Sequence, residues 1–565
     1  MNVARKVLLA AALLSVFGVV WVWWNRPERV DMAAYVPADA VVYLEANSLP
    51  DIVEGLTSTE AWRELAPAAG AAGGWGRAGW LGRLAALTGV GSGEAVVLAR
   101  AQVAVAVLGF KAAEESETAI TFAPRVALVA ETHTGDWRAR AAVEKLVGDF
   151  ARRSFGEPAV VRKDFDGVPA VVWDEPASSK RRLVAAVEGG VAVVGNDESV
   201  VRACLDVRRG ARQSMAGNAQ LEEMRARLEA GGALAFGFAP QGSAAKAVEA
   251  LAPAFVNGVS PESRVQSMLA TVLPKLSDQL VRGVGWSARV AGGRVEDRYL
   301  LTLPGGLGER LRAPLAPADS PARGALGLLP HDTHEVTFYN FRNPEFAWRG
   351  LSAAVSSQVD VSSAALITLG LEALVEPYGV ESPREFLRAA GSEVVTARLG
   401  EADEGKVLIV EVLDREALRA QVLKQLGAGL RPQQFGGEEL YVSPDPDGGA
   451  ASFVGNHLVL GAAPDVRRCL AARQEGRTLK EAAGFRDAAG LSQPAALAQT
   501  VTDDREAAAA VVTSLSRRAG APVSQPARAF YSVTETRLHE TGFERRTLSS
   551  FGQFGEVIAR LGRGR

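Results

Sequence analysis

The sequence predicts an α+β fold in which an N-terminal transmembrane helix is followed by two homologous α+β repeats with mainly antiparallel sheets. Three observations carry this prediction: a charge-free apolar run near the N-terminus, an internal repeat, and short strands of alternating apolar residues between turn glycines. The length of 565 residues agrees with more than one domain, because single hydrophobic cores stop growing at about 250–300 residues.

The apolar run extends from Val7 to Trp24, 18 residues without a charged side chain. As a helix it would span roughly 27 Å, close to the roughly 30 Å hydrocarbon core of a bilayer. Arg5 and Lys6 precede the run and tryptophans close it, an arrangement typical of a membrane helix. A cleaved signal peptide is the alternative, but its apolar core is shorter and ends in small residues. We therefore predict a single-pass protein of the inner (cytoplasmic) membrane with its C-terminal domains outside the cytoplasm.

The internal repeat relates residues 165–210 to residues 435–476. Each copy leads through strands and a glycine turn into a helix with the pattern Val-Arg-x-Cys-Leu, which contains Cys204 in the first copy and Cys469 in the second. Each copy lies within a larger unit. The predicted organisation is a cytoplasmic tip and transmembrane anchor at 1–30, a first α+β repeat at 36–305, a linker at 306–327, a second α+β repeat at 328–555 and a basic tail at 556–565.

The two units are predicted to contain the same series of elements. Alternating apolar residues indicate the strands, and apolar residues three or four apart indicate the helices. In the first unit the predicted elements are strands at 40–46, 95–99, 102–110, 125–131, 168–173, 183–187 and 191–194, helices near 48–65 and 136–150, and a closing hairpin at 286–303. In the second unit they are strands at 336–341, 406–411, 440–442, 451–454 and 458–460, a helix at 414–426, and a closing hairpin at 531–548.

Charge and cysteine content exclude several classes of protein. The net charge is −3 and no basic stripe is present, so there is no reason to expect nucleic acid as a partner. Two cysteines are too few for a disulfide-dense scaffold or a multi-cysteine zinc site. Cys204 and Cys469 would pair only if the repeats bring their Cα atoms within about 7 Å. Buried thiols on two helices are the favoured interpretation.

The anchor occurs together with an opening motif, Val36-Pro37-Ala38-Asp39, followed by Tyr43 and Asn47, and with a later strand-Gly-Asn-strand-Gly-helix pattern. In these features the chain resembles a bacterial family of membrane-anchored proteins, the domain of unknown function thirty-three fifty-two, over most of its length. The resemblance implies a location in the cell envelope. The shared motifs are structural glycines and apolar strands, so the resemblance implies no catalytic residues.

No motif in the sequence predicts catalysis. The run Gly89-Val90-Gly91-Ser92-Gly93 lacks the spacing of a nucleophile elbow and the lysine of a phosphate-binding loop, so it is interpreted as a turn. The acidic stretch Asp445-Pro446-Asp447-Gly448 lacks the closing glutamate of a calcium loop, so it is interpreted as a hairpin loop.

The histidines offer one candidate metal site, because His331 and His334 flank Asp332 and these side chains are common metal ligands. However, Asp332 matches the turn residue Asp39 of the first repeat, so a turn is favoured over a metal site. We therefore predict no catalytic, cofactor-binding or metal-binding residue, and no cofactor. The other histidines, isolated in the sequence, are His133, His457 and His539.

The anchor, the duplication and the lack of polar constellations favour a membrane-anchored cell-envelope protein that acts as a non-catalytic binding or scaffold module facing the periplasm or cell exterior. Its predicted partners are the membrane, through the helix from Val7 to Trp24, and an envelope protein or lipid. The alternative is an envelope hydrolase with a site between the two repeats, where ligand sites often lie. A catalytic site would break the symmetry of the repeats, and His331, His334 and His457 are differences of that kind.

Overall fold

The structure is a computed structural model of the chain. It describes residues 28–46, 48–68, 91–116, 119–176, 181–247, 249, 274–318, 323–358, 364, 380, 382–400, 405–427, 430, 432–445, 449–491, 495–515 and 530–563.

The strands of these residues form one antiparallel sheet of 20 strands. They are β1 (Val42–Ala46), β2 (Gln102–Ser116), β3 (Ala119–Glu131), β4 (Ala159–Phe165), β5 (Val168–Asp174), β6 (Arg182–Glu188), β7 (Val191–Gly195), β8 (Ala235–Pro240), β9 (Gly283–Ala291), β10 (Arg294–Thr302), β11 (Glu335–Tyr339), β12 (Ala390–Arg398), β13 (Lys406–Val412), β14 (Gln433–Phe435), β15 (Glu438–Val442), β16 (Ala450–Val454), β17 (His457–Gly461), β18 (Ala498–Asp503), β19 (Tyr531–His539) and β20 (Gly542–Ser549).

The strand order shows the duplication directly. Across the sheet it is β4-β5-β6-β7-β3-β2-β1-β8-β9-β10-β20-β19-β18-β11-β12-β13-β17-β16-β15-β14. Each half contributes ten consecutive strands in the same relative order, and the two halves meet where β10 pairs with β20. The boundaries given above for the repeats and the linker stay predictions.

The helices cover both faces of the sheet. With their bounds they are α1 (Leu49–Thr57), α2 (Glu60–Ala68), α3 (Ser92–Arg100), α4 (Asp136–Phe155), α5 (Glu198–Arg208), α6 (Ala219–Arg227), α7 (Leu307–Arg312), α8 (Pro344–Ser356), α9 (Pro383–Ala389), α10 (Arg415–Leu426), α11 (Ala463–Gln474), α12 (Phe485–Gly490), α13 (Arg505–Leu515) and α14 (Gly552–Arg563). Helices α5, α6, α11 and α12 pack on one face, here called the back face, and the other helices lie on the front face.

Several helices begin at a residue whose side chain caps the first turn. Asp197 accepts a hydrogen bond from the backbone N–H of Ser199 before α5, and Asn343 accepts one from Phe346 before α8, where Pro344 takes the first helical position. Such caps satisfy N–H groups that have no partner within the helix. These local signals explain why each half folds its helices at these places.

The back face holds a separate core in each half. Cys204 of α5 packs in the first-half core, and Cys469 of α11 packs in the second-half core. Both are free thiols, and burial raises the pKa of each thiol to about 12. They are therefore unreactive core residues rather than a disulfide pair.

The junction of the halves has a local twofold axis. Arg298 of β10 pairs with Arg546 of β20, and counted from the turn of its own hairpin each holds the same position. Around this axis Arg298 Nε lies 2.9 Å from Glu544 Oε1, and Arg546 Nε lies 2.6 Å from Glu296 Oε2. These ion pairs favour this register, because a slip would leave buried charges without partners.

In each half, a helix that follows the closing hairpin packs against the other half. Helix α7 follows β10 of the first half and packs against α8 of the second half. Helix α14 follows β20 of the second half and packs on β10, with Phe554 at 6.5 Å from Trp286 between ring centroids. The antiparallel pairing of β10 with β20 causes this exchange, because each strand ends beside the start of the other.

Three sequence-based predictions require correction. The repeats do not fold into separate sheets, because pairing of β10 with β20 satisfies the backbone groups of what would otherwise be two long exposed edges. Residues 95–99 form part of α3 instead of a strand, because Glu94 in the first turn and the alanines that follow favour a helix.

The third correction concerns the transmembrane helix and the inner-membrane location inferred from it. Among the described residues, no helix combines the length and the apolar character needed to cross a bilayer. The stretch from Val7 to Trp24, on which the prediction depends, lies outside the described residues. The membrane assignment is therefore not retained.

Candidate functional site

The front face at the junction contains a pocket of about 270 Å³, here called the junction pocket. Its floor is formed by side chains of β10, β20, β19 and the end of β18, and its wall by α13 and α14. It thus lies across the boundary between the halves, where residues of both contribute. A pocket slightly smaller than the roughly 300–1,000 Å³ typical for drug-sized ligands suits a small molecule.

At the pocket, a bulky residue of the first half has a small equivalent in the second. Counted back from the turn of each hairpin, Trp286 of β9 and Thr534 of β19 occupy equivalent positions. In the first half, the Trp286 ring packs in the cluster formed with α1, α2 and α14. In the second half, the short side chain of Thr534 leaves open space over the sheet.

Hydroxyl groups dominate the lining of the junction pocket. Thr534 and Thr547 lie opposite each other on β19 and β20, with their Oγ1 atoms 3.0 Å apart. Hydroxyl groups both donate and accept hydrogen bonds, so this lining matches a polar ligand. The six serines and threonines that line the pocket are Thr502, Ser532, Thr534, Thr547, Ser549 and Ser550.

Asp297 of β10 lies beneath the pocket and is 1% exposed. Its Oδ1 accepts a hydrogen bond of 2.9 Å from Trp286 Nε1, and its Oδ2 accepts one of 3.1 Å from the backbone N–H of Gln553. Burial raises the pKa of this carboxyl to about 6, although both hydrogen bonds oppose the shift. Asp297 therefore ties the first-half Trp286 to the start of α14 in the second half.

Asp504 lies at the other end of the pocket, before α13. Its Oδ2 accepts a hydrogen bond of 2.8 Å from the backbone N–H of Ser550. Burial raises the pKa of this carboxyl, while that hydrogen bond and the charge of Arg294 act in the opposite direction. The side chain is half-buried and lines the pocket.

Arg545 of β20 supplies the basic group of the pocket. It pairs with Tyr299 of β10, is exposed, and makes no ion pair or hydrogen bond with its guanidinium group within the described part of the chain. Burial raises the pKa of Tyr299 above its usual range, and the charge of Arg545 lowers it. A free guanidinium beside hydroxyl groups is well suited to bind a carboxylate.

The pocket lining offers hydroxyl, carboxyl and guanidinium groups. No histidine, cysteine or lysine is among the described residues that line the pocket. The arrangement can hold a small molecule through hydroxyl groups, carboxyl groups and one guanidinium group.

The predicted metal candidates do not converge. Asp332 Oδ2 lies 2.8 Å from Arg468 Nη2, and the equivalent Asp39 contacts Arg212 in the first half. His331 is exposed, with its Nδ1 3.9 Å from Asp332 Oδ1. Over the described ranges, no group of three or more histidine, cysteine or acidic side chains is placed to hold a metal ion.

His457 is part of a buried cluster that sequence reasoning did not find. Its Nε2 lies 2.9 Å from Oε2 of Glu393, which is 5% exposed and also accepts hydrogen bonds from the backbone N–H groups of Gly324 and Ala325. Hydrogen bonds from His457 and the backbone outweigh desolvation and lower the pKa of Glu393. The cluster thereby fixes the segment that leads into the second half.

The first half has a similar cluster at the equivalent place. Gln102 of β2 accepts a hydrogen bond of 2.9 Å from the backbone N–H of Val30, and His133 Nε2 lies 3.2 Å from the same Gln102 oxygen. Because both halves use a buried polar side chain and a histidine to hold the incoming chain, the symmetry favours a structural role for His457.

The remaining candidates are also accounted for locally. His539 Nε2 lies 2.8 Å from Glu544 Oε2 on the neighbouring strand. The backbone N–H of Asp445 donates to Ser443 Oγ, while Asp447 and residues 89–90 lie outside the described residues. Gly91 precedes the first turn of α3.

Comparison with known proteins gives no further identification. No protein-family model, curated protein or solved structure matches the chain. The resemblance to the membrane-anchored family stays a prediction.

The sequence contains one signal for the junction pocket. Thr534 stands where the first closing hairpin has Trp286, and the strands around it carry hydroxyl residues on one face. The signal becomes visible only after the two hairpins are aligned by their turns.

Proposed function

We propose that the protein is a non-catalytic binding protein whose junction pocket holds a small polar ligand. The observation that carries the proposal is the replacement of Trp286 by Thr534 at the equivalent position, which opens a pocket where the first half is filled. Hydroxyl groups on facing strands then line it.

The position of the pocket supports a ligand-dependent function of the whole molecule. Strand β10 of the first half and helices α13 and α14 of the second half line the same space. A ligand in contact with all three would stabilise the junction, because binding to the folded state alone adds about 2.7 kcal/mol at a ligand concentration of 100 times Kd.

A thermal-shift screen of the purified chain against sugars, polyols, amino acids, dicarboxylates and polyamines tests the proposal. We expect at least one class to raise the Tm of the wild-type protein. The double variant Thr534→Val and Thr547→Val removes the hydroxyl pair inside the pocket with little change of volume, and we expect it to abolish the shift.

The chain offers a matched control for this screen. Thr337 and Thr500 form the same kind of cross-strand pair, with their Oγ1 atoms 2.8 Å apart, on β11 and β18 outside the pocket lining. The double variant Thr337→Val and Thr500→Val should therefore keep the ligand shift. Equal loss in both double variants, or no shift with any class in the wild type, would contradict the proposal.

A further inference from the structure

The lining of the junction pocket carries one basic group, Arg545, and the carboxyl groups of Asp297, Asp504 and Glu556. Arg545 lies in the middle of β20, and Asp504 contacts Ser550 beyond the C-terminal end of that strand. Ser549 lies four positions after Arg545, which corresponds to roughly 13 Å along a strand. Because the side chain of Arg545 is long, its guanidinium group can lie closer to Asp504 than this backbone separation.

Neither Arg545 nor Asp504 makes an ion pair with a described residue. The guanidinium of Arg545 makes no hydrogen bond or ion pair with any residue that the structure describes. The hydrogen bonds of Asp504 come from the neutral Ser550, and Arg294 acts on it only through its charge. The hydroxyl pair of Thr534 and Thr547 lies on the strands between the two ends.

We propose that the junction pocket takes a small zwitterion, with its carboxylate at Arg545 and its ammonium group at Asp504. This inference rests on the proposed function and names the ligand class. A guanidinium group and a carboxylate bind opposite charges through charge-assisted hydrogen bonds, which are stronger than neutral ones. The separation of the two ends favours a short ω-amino acid or a dipeptide over an α-amino acid, whose charges are adjacent.

Four small molecules of similar size distinguish the contribution of charge to binding from that of shape. They are 4-aminobutyrate, butyrate, n-butylamine and 1,4-butanediol, and their binding to the full chain is measured by calorimetry. We expect 4-aminobutyrate to bind at least tenfold more tightly than the other three, since each charge-assisted contact is worth about tenfold or more. Comparison with 6-aminohexanoate and glycine then measures the preferred separation of the charges.

Two variants assign each end of the ligand. Arg545→Gln should weaken the binding of 4-aminobutyrate and of butyrate about tenfold or more and leave the affinity for n-butylamine unchanged. Asp504→Asn should weaken the binding of 4-aminobutyrate and of n-butylamine and leave the affinity for butyrate unchanged. If Asp504→Asn does not fold, the exposed Arg545 still provides the test, because its guanidinium group makes no hydrogen bond or ion pair with a described residue.

The outcomes distinguish this inference from the proposed function. Tight binding of 1,4-butanediol that is lost in the Thr534→Val and Thr547→Val variant would overturn the zwitterion and leave pocket binding intact. Equal affinity of Arg545→Gln and wild type for 4-aminobutyrate would also overturn it. Absence of binding by all probes would overturn the zwitterion, while the wider screen decides the proposed function separately.

Discussion

At the scale of single residues, the junction depends on Asp297. Its carboxyl group is buried, receives hydrogen bonds from Trp286 and Gln553, and has a pKa raised to about 6 from 3.8. Burial of a carboxyl favours its neutral form. Asp297 thus couples the protonation state of one side chain to the contact between the first half and α14.

The first prediction at this scale is a pH dependence of stability that Asp297→Asn removes. Because the folded-state pKa of about 6 is above 3.8, the contribution of Asp297 is full below about pH 4 and is lost as the pH rises through 6. The difference in unfolding free energy between wild type and variant should therefore change by up to about 3 kcal/mol from pH 4 to 7. Urea unfolding across this range measures it.

Asp166→Asn provides the control, because its side chain is 79% exposed and asparagine tolerates the positive φ of 54° at this position. The difference in unfolding free energy between Asp166→Asn and the wild type should vary little between pH 4 and 7. A flat difference for Asp297→Asn would show that the Asp297 carboxyl is not buried as described.

At the scale of elements, α14 must approach β10 very closely. A Cβ atom added at Gly552, where α14 begins with φ of +59°, would lie 2.5 Å from Val295 Cγ1 and 2.6 Å from Asp297 Oδ2. Only glycine allows both this backbone conformation and this contact. The closeness of helix and strand is what closes one side of the junction pocket.

The prediction for this element compares Gly552→Ala with Gly437→Ala. Both glycines have positive φ, but a Cβ at Gly437 would meet no atom within 4 Å. Backbone strain should cost each variant about 1 kcal/mol, and overpacking should cost Gly552→Ala a further 1–3 kcal/mol. Chemical denaturation measures both values, and equal losses would contradict the close packing of α14 on β10.

The elements also show how much of the fold was predictable. The closing hairpins β9–β10 and β19–β20 carry local signals, namely alternating apolar residues on both sides of a turn. Residues 95–99 were misread as a strand because a short apolar run has no clear period. The pairing of β10 with β20 joins residues about 250 positions apart, such as Val295 and Ser549, and no local pattern specifies it.

The candidate site was predictable only in part. When the two closing hairpins are aligned, Thr534 corresponds to Trp286. The sequence alone, however, does not place α14 over the sheet. The sequence also did not indicate the partner of His457, which is held by Glu393 in a role that Gln102 and His133 share in the first half. Residues that matter at the junction are hydroxyls and carboxyls, which are common everywhere on protein surfaces.

At the scale of the whole molecule, the two copies of the duplication share one continuous sheet with a local twofold axis. The sheet continues through β10 and β20, and α7 and α14 each pack on the opposite half. The junction pocket breaks this symmetry on the front face. Residues of both halves line this pocket, so neither half forms it alone.

The measurement that tests this account most directly is crosslinking of the residues on the twofold axis. Arg298 and Arg546 are direct partners in the β10–β20 pairing, and opposite residues of antiparallel strands have Cα atoms about 4.5–5.5 Å apart, within reach of a disulfide. The variant Arg298→Cys and Arg546→Cys should form an intrachain disulfide under mild oxidation, whereas Arg294→Cys and Arg546→Cys, displaced by four residues, should not. Peptide mapping identifies the bond, and the buried Cys204 and Cys469 should remain reduced. Failure of the first pair to crosslink in the folded protein would contradict the continuous sheet and, with it, the junction pocket.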